Sequence, residues 1–186
     1  KLIEATNADP AVKWIAGRNS RFEGATLLDV KRLCGTKQSG AAEFLPARAP
    51  LPVHDLPKSF DWRKEKGDVC PRLKEIRDQA NCGSCWAFGS VAAMTDRYCI
   101  ASNGANTVHL SASDVAFCDH EGDMGCNGGI PSTVYSYWKL NGIVSGGQYG
   151  DKESGCYSYQ LAPCAHHTNS TKYPACTGEV KTPRCA

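Results

Sequence analysis

Cysteine is the residue type that most constrains this chain, because eleven of its 186 residues are cysteines and eleven is an odd number. A cytosolic enzyme rarely carries so many, since reducing compartments keep thiols reduced. The count therefore predicts an oxidising compartment, several disulfides and at least one thiol left over. Only Cys34 lies within residues 1–55, and the other ten cysteines follow. We expect a cysteine-poor first segment and a crosslinked second one.

Charge and hydropathy exclude several kinds of partner. The 21 basic and 19 acidic residues nearly balance, so no strongly basic surface for nucleic acid or anionic membrane is expected. No apolar run approaches the ~20 residues that span a membrane. The stretch that opens with Lys1 has no apolar signal-peptide core, so we expect any secretory signal to have been removed. We predict a monomer of one domain with an appendage, without a cofactor.

The first segment shows two weak helical patterns and then a linker. Asp9-Pro10 is typical of an N-cap and first helical position, ahead of scattered apolar residues. A second short helix is predicted over residues 27–33, ended by Gly35. A proline-rich stretch over residues 46–57 then favours extended chain, either as a domain linker or as the junction of a pro-segment.

One strong helical pattern covers residues 81–99, and it is apolar on most sides, as a buried helix is. Ser84 stands where an N-cap is expected. Ser111 to Asp114 indicate the start of another helix, whereas glycine and cysteine dominate after Gly122. We expect that last region to be loops held by crosslinks.

The chemistry concentrates in Cys82-Gly83-Ser84-Cys85, at the start of the buried helix. A thiol attacks as thiolate, which a helix N-terminus stabilises, and this favours Cys85 as a nucleophile. The same Cys-x-x-Cys spacing also suits a dithiol oxidoreductase or two structural disulfide cysteines. These residues alone leave all three readings open.

The wider string, from Gln79 to Phe88, resembles the nucleophile segment of papain-family cysteine proteases, which carry Cys-Gly-[Ser/Ala]-Cys-[Trp/Tyr]. The resemblance implies that Cys85 is the catalytic nucleophile. It also implies that the Gln79 amide and the Cys85 backbone N–H stabilise the oxyanion. The implied fold is α+β and papain-like, with the helical left-hand half and the occluding loop present and the β-rich right-hand half absent from the chain.

Within that family the sequence is most similar to the cathepsin B branch, and the substrate-binding residues follow from this likeness. Trp86, Gly128 and Gly129 match positions that contact an extended substrate. Residues 164–176 resemble the occluding loop, where His166 and His167 would hold the C-terminal carboxylate of a substrate. The histidine pair could instead be a solvated loop or a weak zinc pair, and we predict no metal site. Asn169 begins the one glycosylation acceptor pattern.

The front of the chain resembles the propeptide of the same branch, which gives a domain division of 1–55 for the propeptide and 56–186 for the catalytic portion. By this likeness the segment that crosses and blocks the cleft consists of Leu33, Cys34, Gly35 and Thr36. The family's pairing implies the disulfides Cys70–Cys99, Cys82–Cys126, Cys118–Cys185 and Cys164–Cys176. Cys34 and Cys85 would then be free thiols, and Cys156 would lack its family partner.

The family's general base and its orienting asparagine are not found in the sequence. They follow the nucleophile by at least ~130 residues, and only 101 residues follow Cys85 here. His109 and His120 are expected at the surface. We therefore predict the precursor of a lysosomal or secreted cysteine protease with dipeptidyl-carboxypeptidase capacity, inactive as this chain alone. Its partners would be peptide substrates and its own propeptide as inhibitor. The alternatives are a truncated non-enzymatic paralogue that binds or inhibits, a purely structural disulfide module and, less favoured, the dithiol oxidoreductase.

Overall fold

The computed structural model describes residues 1–37, 49, 52, 55–119, 123–165, 172–178 and 180–186. Within these ranges the α-helices are α1 (Leu2–Ala8), α2 (Leu27–Leu33), α3 (Trp62–Glu65), α4 (Cys85–Ala101), α5 (Ala112–Cys118) and α6 (Pro131–Asn141). The extended pairing in the same ranges is limited to isolated bridges. No described helix has both the length and the apolar content needed to cross a bilayer.

The core forms around α4, which packs against α5 and α6. Trp86, Val91 and Met94 of α4 are each at most 1% exposed, as are Val115 of α5 and Val134 of α6. This confirms the expectation of a buried helix over residues 81–99, although the helix begins at Cys85 and continues to Ala101.

Local capping explains where two of the shorter helices begin. Thr26 and Asp29 form a reciprocal capping box at the start of α2, whose bounds agree with the prediction. The Ser111 side chain accepts a hydrogen bond from the Asp114 N–H at 3.0 Å, which starts α5. The helix predicted from Ser111–Asp114 is therefore present.

Two helix predictions were wrong. The first helix ends at Ala8 and does not start at Asp9, because the Asp9 carboxylate accepts from the Ala11 N–H at 2.9 Å and forms a turn. In addition, α6 occupies part of the region expected to be loops. Its signals were Pro131 in the first turn and Gly142 after the last residue, the arrangement that favours a helix between them.

The glycine-rich region after α6 returns to the core through Tyr159. The Tyr159 N–H donates to the Gly147 carbonyl at 2.9 Å, which places the side chain beneath the start of α4. Its ring meets Phe88 edge-on at 4.8 Å between centroids and stacks on Phe117 at 5.8 Å. Such aromatic packing fixes the ring's position within the core.

Candidate active site

The Cys85 sulfur lies at the N-terminus of α4, where the helix dipole favours negative charge. Its described hydrogen-bond contacts come from residues 33–37, which we call the strap. The Gly35 N–H donates to the Cys85 sulfur at 3.1 Å, and the Thr36 hydroxyl lies 3.4 Å from it. Any molecule that reacts with the sulfur would first have to displace Gly35 and Thr36 from it.

Gln79 lies beside the same helix start, in a tight loop. The Gln79 Nε2 group donates to the Cys82 carbonyl at 2.6 Å and to the Leu33 carbonyl of the strap at 3.2 Å. The structure therefore brings Gln79 and Cys85 to one face, and a strap carbonyl already accepts from the Gln79 amide. That amide is the donor that the sequence resemblance assigns to an oxyanion.

The strap pairs in parallel with the segment that contains Gly129. The Gly129 N–H donates to the Gly35 carbonyl, and the Lys37 N–H donates to the Gly129 carbonyl, both at 2.8 Å. Gly128, with φ of 102°, has a conformation that side chains rarely adopt. A Cβ at Gly128 would also lie 2.6 Å from the Gly35 carbonyl oxygen.

On its other side the strap lies against the backbone of Gly83, and this close contact requires glycine at position 35. A Cβ built there would overlap the backbone carbonyl of Gly83, in the loop just before Cys85. The Gly83 N–H in turn donates to the Cys126 carbonyl at 3.0 Å, next to the Cys82–Cys126 disulfide. The strap thus fits between two backbone segments that a disulfide holds together.

The expected substrate contact by Trp86 needs correction. Trp86 is 1% exposed, and its indole N–H donates to the Gly125 carbonyl at 3.1 Å. A Cβ on Gly129 would come within 2.5 Å of the indole ring, so the ring stands directly behind Gly129. Trp86 is therefore buried behind the backbone that pairs with the strap, and it supports that backbone.

The expected surface position of His109 was also wrong. His109 is 3% exposed, and its two ring nitrogens face the Gly146 carbonyl at 2.6 Å and the Glu75 carboxylate at 2.9 Å. Both ring nitrogens therefore lie within hydrogen-bond distance of an oxygen. His109 is therefore buried in a contact with Glu75 and lies apart from the Cys85 contacts.

The remaining histidine predictions fall outside the described residues. His54, His120, His166 and His167 lie there, as does Asn169. On either side of this undescribed segment, Cys164 and Cys176 form a disulfide, and Ala165 pairs with Ala175 in an isolated β-bridge. Among the residues that the structure does describe, no cluster of His, Cys, Asp and Glu could hold a metal ion.

The cysteines divide into four disulfides and three thiols. The disulfides are Cys70–Cys99, Cys82–Cys126, Cys118–Cys185 and Cys164–Cys176. Cys85 is half-buried, whereas Cys34 and Cys156 are exposed. Because Cys82 bonds to Cys126 and not to Cys85, the Cys-x-x-Cys pair forms no internal disulfide here.

Sequence reasoning missed Tyr159, which lies beneath the site. Its hydroxyl is 2.9 Å from the Ser84 hydroxyl and 3.0 Å from the Gln79 carbonyl. The local sequence shows two tyrosines, Tyr157 and Tyr159, in a stretch without a periodic apolar pattern, and nothing in it distinguishes the buried one. The contacts of its hydroxyl reach Gln79 and Ser84, far back along the chain, and no periodic pattern around Tyr159 could reveal them.

Comparisons with known proteins agree with this geometry. Residues 56–184 match the family model described as "Papain family cysteine protease". The "Cathepsin B-like cysteine proteinase" of Schistosoma japonicum is 41% identical over 190 residues, covering 100% of this chain and 54% of that protein. The "Cathepsin B-like cysteine proteinase 6" of Caenorhabditis elegans is 46% identical over 132 residues, covering 70% of this chain and 34% of that protein.

Among solved structures, "proCathepsin B S9 from Trypanosoma congolense" superposes with a TM-score of 0.66 at 30% identity, covering 77% of this chain and 49% of that one. The chain thus spans about half the length, or less, of the relatives that it matches. The papain-like fold expected from the sequence is confirmed, and the described part is its helical half. The chain belongs to the papain family of cysteine proteases, in its cathepsin B-like branch.

Proposed function

We propose that this chain is part of a cysteine protease precursor in which residues 1–55 form the propeptide and residues 56–186 belong to the catalytic domain. The observation that carries the proposal is the 3.1 Å contact between the Gly35 N–H and the Cys85 sulfur. A strap that covers a nucleophilic thiol is what a self-inhibited peptidase requires. The strap residues Leu33, Cys34, Gly35 and Thr36 would block the cleft until the propeptide is released.

The roles in peptide hydrolysis follow from the arrangement around Cys85. The Cys85 thiolate would attack the scissile carbonyl carbon, and the carbonyl π electrons would move onto oxygen. The Gln79 amide, which now donates to a strap carbonyl, would stabilise that oxyanion together with the Cys85 backbone N–H. Gly128 and Gly129 would present backbone to the substrate, as Gly129 does to the strap.

The sequence has no match to the family's base segment, so the general base would come from residues outside this chain. A thiol protease needs a histidine to accept the thiol proton and return it to the leaving amine. His109, buried against Glu75, is not placed for this. We therefore expect the 186-residue chain by itself to react at Cys85 without turning over peptides.

The finer assignments rest on the cathepsin B-like relatives. We propose that His166 and His167 in loop 164–176 recognise the C-terminal carboxylate of a peptide and so give dipeptidyl-carboxypeptidase action. The protein would reside in the lysosome or be secreted as a monomer, with Asn169 as a glycosylation site. Its partners would be protein and peptide substrates and its own propeptide.

Alkylation tests the proposal. The purified 186-residue chain is treated with iodoacetamide before and after limited proteolysis of residues 1–55, and each cysteine is followed by peptide mass spectrometry. We expect Cys85 to become reactive when the propeptide is released, while Cys82 stays in its disulfide, and peptide substrates to remain intact. Equal reactivity of Cys85 before and after release would argue against a blocking propeptide.

Two other functions give different outcomes when the alkylation experiment is extended, by mild reduction or by adding the remaining half of a relative. A dithiol oxidoreductase would expose both Cys82 and Cys85 after mild reduction, which the Cys82–Cys126 disulfide disfavours. A non-enzymatic paralogue would label at Cys85 but would stay inactive even when supplied with the remaining half of a cathepsin B-like relative. Peptide turnover by the isolated chain would contradict the assignment of the base to residues outside it.

A further inference from the structure

Ser84 occupies the N-cap position of α4 without capping the helix through its side chain. Serine is favoured there because its hydroxyl accepts from the backbone N–H groups of the first turn. In this chain the Ser84 residue is fully buried, and its hydroxyl instead lies 2.9 Å from the Tyr159 hydroxyl. The departure from ordinary capping occurs one residue before the nucleophile.

Tyr159 connects this serine to the oxyanion donor. The Tyr159 hydroxyl donates to the Gln79 carbonyl at 3.0 Å, and a phenol has one proton to donate. The Ser84 hydroxyl must then be the donor in its contact with Tyr159. The result is a directed chain of hydrogen bonds from Ser84 through Tyr159 to Gln79, in which each bond strengthens the next.

The environment keeps this chain fixed and the phenol protonated. Tyr159 is 3% exposed and is held by Phe88 and Phe117 on its two sides. Burial raises the pKa of the Tyr159 phenol above its usual range, although the Ser84 hydrogen bond opposes this. A buried hydroxyl with both partners satisfied sets the spacing between the segments that it joins.

We propose that Tyr159 is a positioning residue for the reaction of Cys85. Through its hydroxyl it holds the Gln79 loop and the first turn of α4 at the separation at which the Gln79 amide and the Cys85 backbone N–H converge on one oxyanion. Tyr159 itself touches neither the sulfur nor the substrate. This inference rests on the proposed function, since it assigns a purpose to the same oxyanion donors.

Two probes of Cys85 separate positioning from general stability. Iodoacetamide alkylation reports the nucleophilicity of the sulfur and forms no oxyanion. A peptide aldehyde adds to Cys85 by forming a bond between sulfur and the carbonyl carbon, with the π electrons moving to oxygen, which the oxyanion donors then stabilise. The parent protein is the full chain carrying Gly35→Ala, in which the added methyl group overlaps the Gly83 carbonyl and displaces the strap.

In this parent, Tyr159→Phe keeps the ring and removes the hydroxyl. We expect the dissociation constant of the aldehyde to rise about tenfold, less than the hundredfold or more that accompanies loss of an oxyanion donor. The alkylation rate should change less than about twofold, because the sulfur and the helix dipole are untouched. Ser84→Ala removes the other end of the chain and should weaken aldehyde binding in the same direction, which keeps the test available if Tyr159→Phe does not fold.

Tyr157→Phe is the matched control, since the Tyr157 hydroxyl lies 3.4 Å from the Arg184 carbonyl, away from Gln79. It should leave both readouts at parent values. Equal losses in aldehyde binding and alkylation for Tyr159→Phe would mean a merely structural role and would overturn the inference, as would no loss in either. If the parent binds no aldehyde although it alkylates, the proposed oxyanion site is wrong and this inference is wrong with it.

Discussion

At the scale of the residue, Gly35 is the position on which closure of the strap depends. Its α-carbon faces the Gly83 carbonyl so closely that any side chain would collide with backbone. Backbone cannot move aside as a flexible side chain would, so the collision must be relieved by moving the strap. Protection of the Cys85 sulfur should therefore be sensitive to a single methyl group.

We expect Gly35→Ala to speed alkylation of Cys85 in the intact chain. Overpacking of this kind costs about 1–3 kcal/mol, which corresponds to roughly a 5- to 150-fold rise in the open population. The measurement is the pseudo-first-order rate of Cys85 labelling. Gly17→Ala serves as the control, because a Cβ at Gly17 meets no atom within 4 Å. An unchanged rate in Gly35→Ala would show that the strap does not govern access.

At the scale of the element, α2 delivers the strap to the site. The helix runs over Leu27–Leu33, and the carbonyl of its last residue accepts from the Gln79 amide. Its first turn is held by the capping box of Thr26 and Asp29, where the Asp29 N–H donates to the Thr26 hydroxyl at 3.2 Å. A helix this short has little stability of its own, so its cap contributes a large share.

Thr26→Ala should loosen the strap from a distance. Loss of a side-chain cap costs about 1 kcal/mol, which would raise the open population and the Cys85 alkylation rate about fivefold. Lys31→Ala, at an exposed position of the same helix, keeps the cap and should leave the rate near that of the unmodified chain. If both variants alkylate equally fast, α2 is not the element that carries the strap.

Helices were predictable from the sequence where capping and stop residues, or a continuous apolar string, marked them. Residues 27–33 had a capping threonine and a following glycine, and the apolar string after Cys85 could only belong in a core. The helix α6 escaped prediction because Val134 is its one fully buried residue, so its apolar pattern is weak. At Asp9 the same residue type that caps helices formed a turn instead, and the sequence does not distinguish the two.

At the scale of the whole molecule, contacts of the partly buried Glu75 carboxylate and of His109 tie three distant segments together. Glu75 Oε1 lies 3.0 Å from the His109 Nε2 atom, and the other ring nitrogen of His109 faces the Gly146 carbonyl. Arg77 lies on the other side of the Glu75 carboxylate at 3.5 Å. Burial raises the pKa of the Glu75 carboxyl, but the hydrogen bond from His109 and the nearby positive charges outweigh burial, so the pKa is lowered overall.

This lowered pKa makes the free energy of unfolding depend on pH in acid. A carboxyl whose pKa is lower in the folded than in the unfolded state stabilises the fold above its unfolded pKa, and that contribution is lost as pH falls through the folded pKa. At about pH 6, Glu75→Gln should lower the free energy of unfolding by roughly 1 kcal/mol, a modest value because the carboxyl is partly exposed. The difference should shrink towards zero near pH 3.

Urea unfolding with the disulfides intact measures this difference at each pH. Glu153→Gln, at an exposed residue, is the control and should show little difference at any pH. A Glu75→Gln penalty that stayed constant from pH 6 to about pH 3 would mean that the ionised carboxylate is not its source.

The site as a whole was only partly predictable, for a physical reason. The segment around Cys85 is contiguous, so its motif predicts a nucleophile at Cys85 and its likeness predicts the role of Gln79. The residues that support it approach from far along the chain, as Tyr159 and His109 do, and their contacts depend on the finished packing. Trp86 shows the same limit, since a position next to the nucleophile does not reveal which way the ring points.

The strap is held against Cys85 and Gly129 largely by main-chain groups, through the hydrogen bond from the Gly35 N–H to the Cys85 sulfur and two hydrogen bonds with Gly129. Because main-chain groups make these hydrogen bonds, the fit depends on the path of the strap backbone and little on its side chains. Gly35 is the exception, since a side chain there would collide with Gly83. Most residues of the strap could therefore be substituted without weakening its binding to the Gly129 segment. On the proposed function, such a segment should discriminate little between the catalytic domain of its own precursor and that of a close relative. In a compartment that holds several such proteases, a released strap would be shared among them.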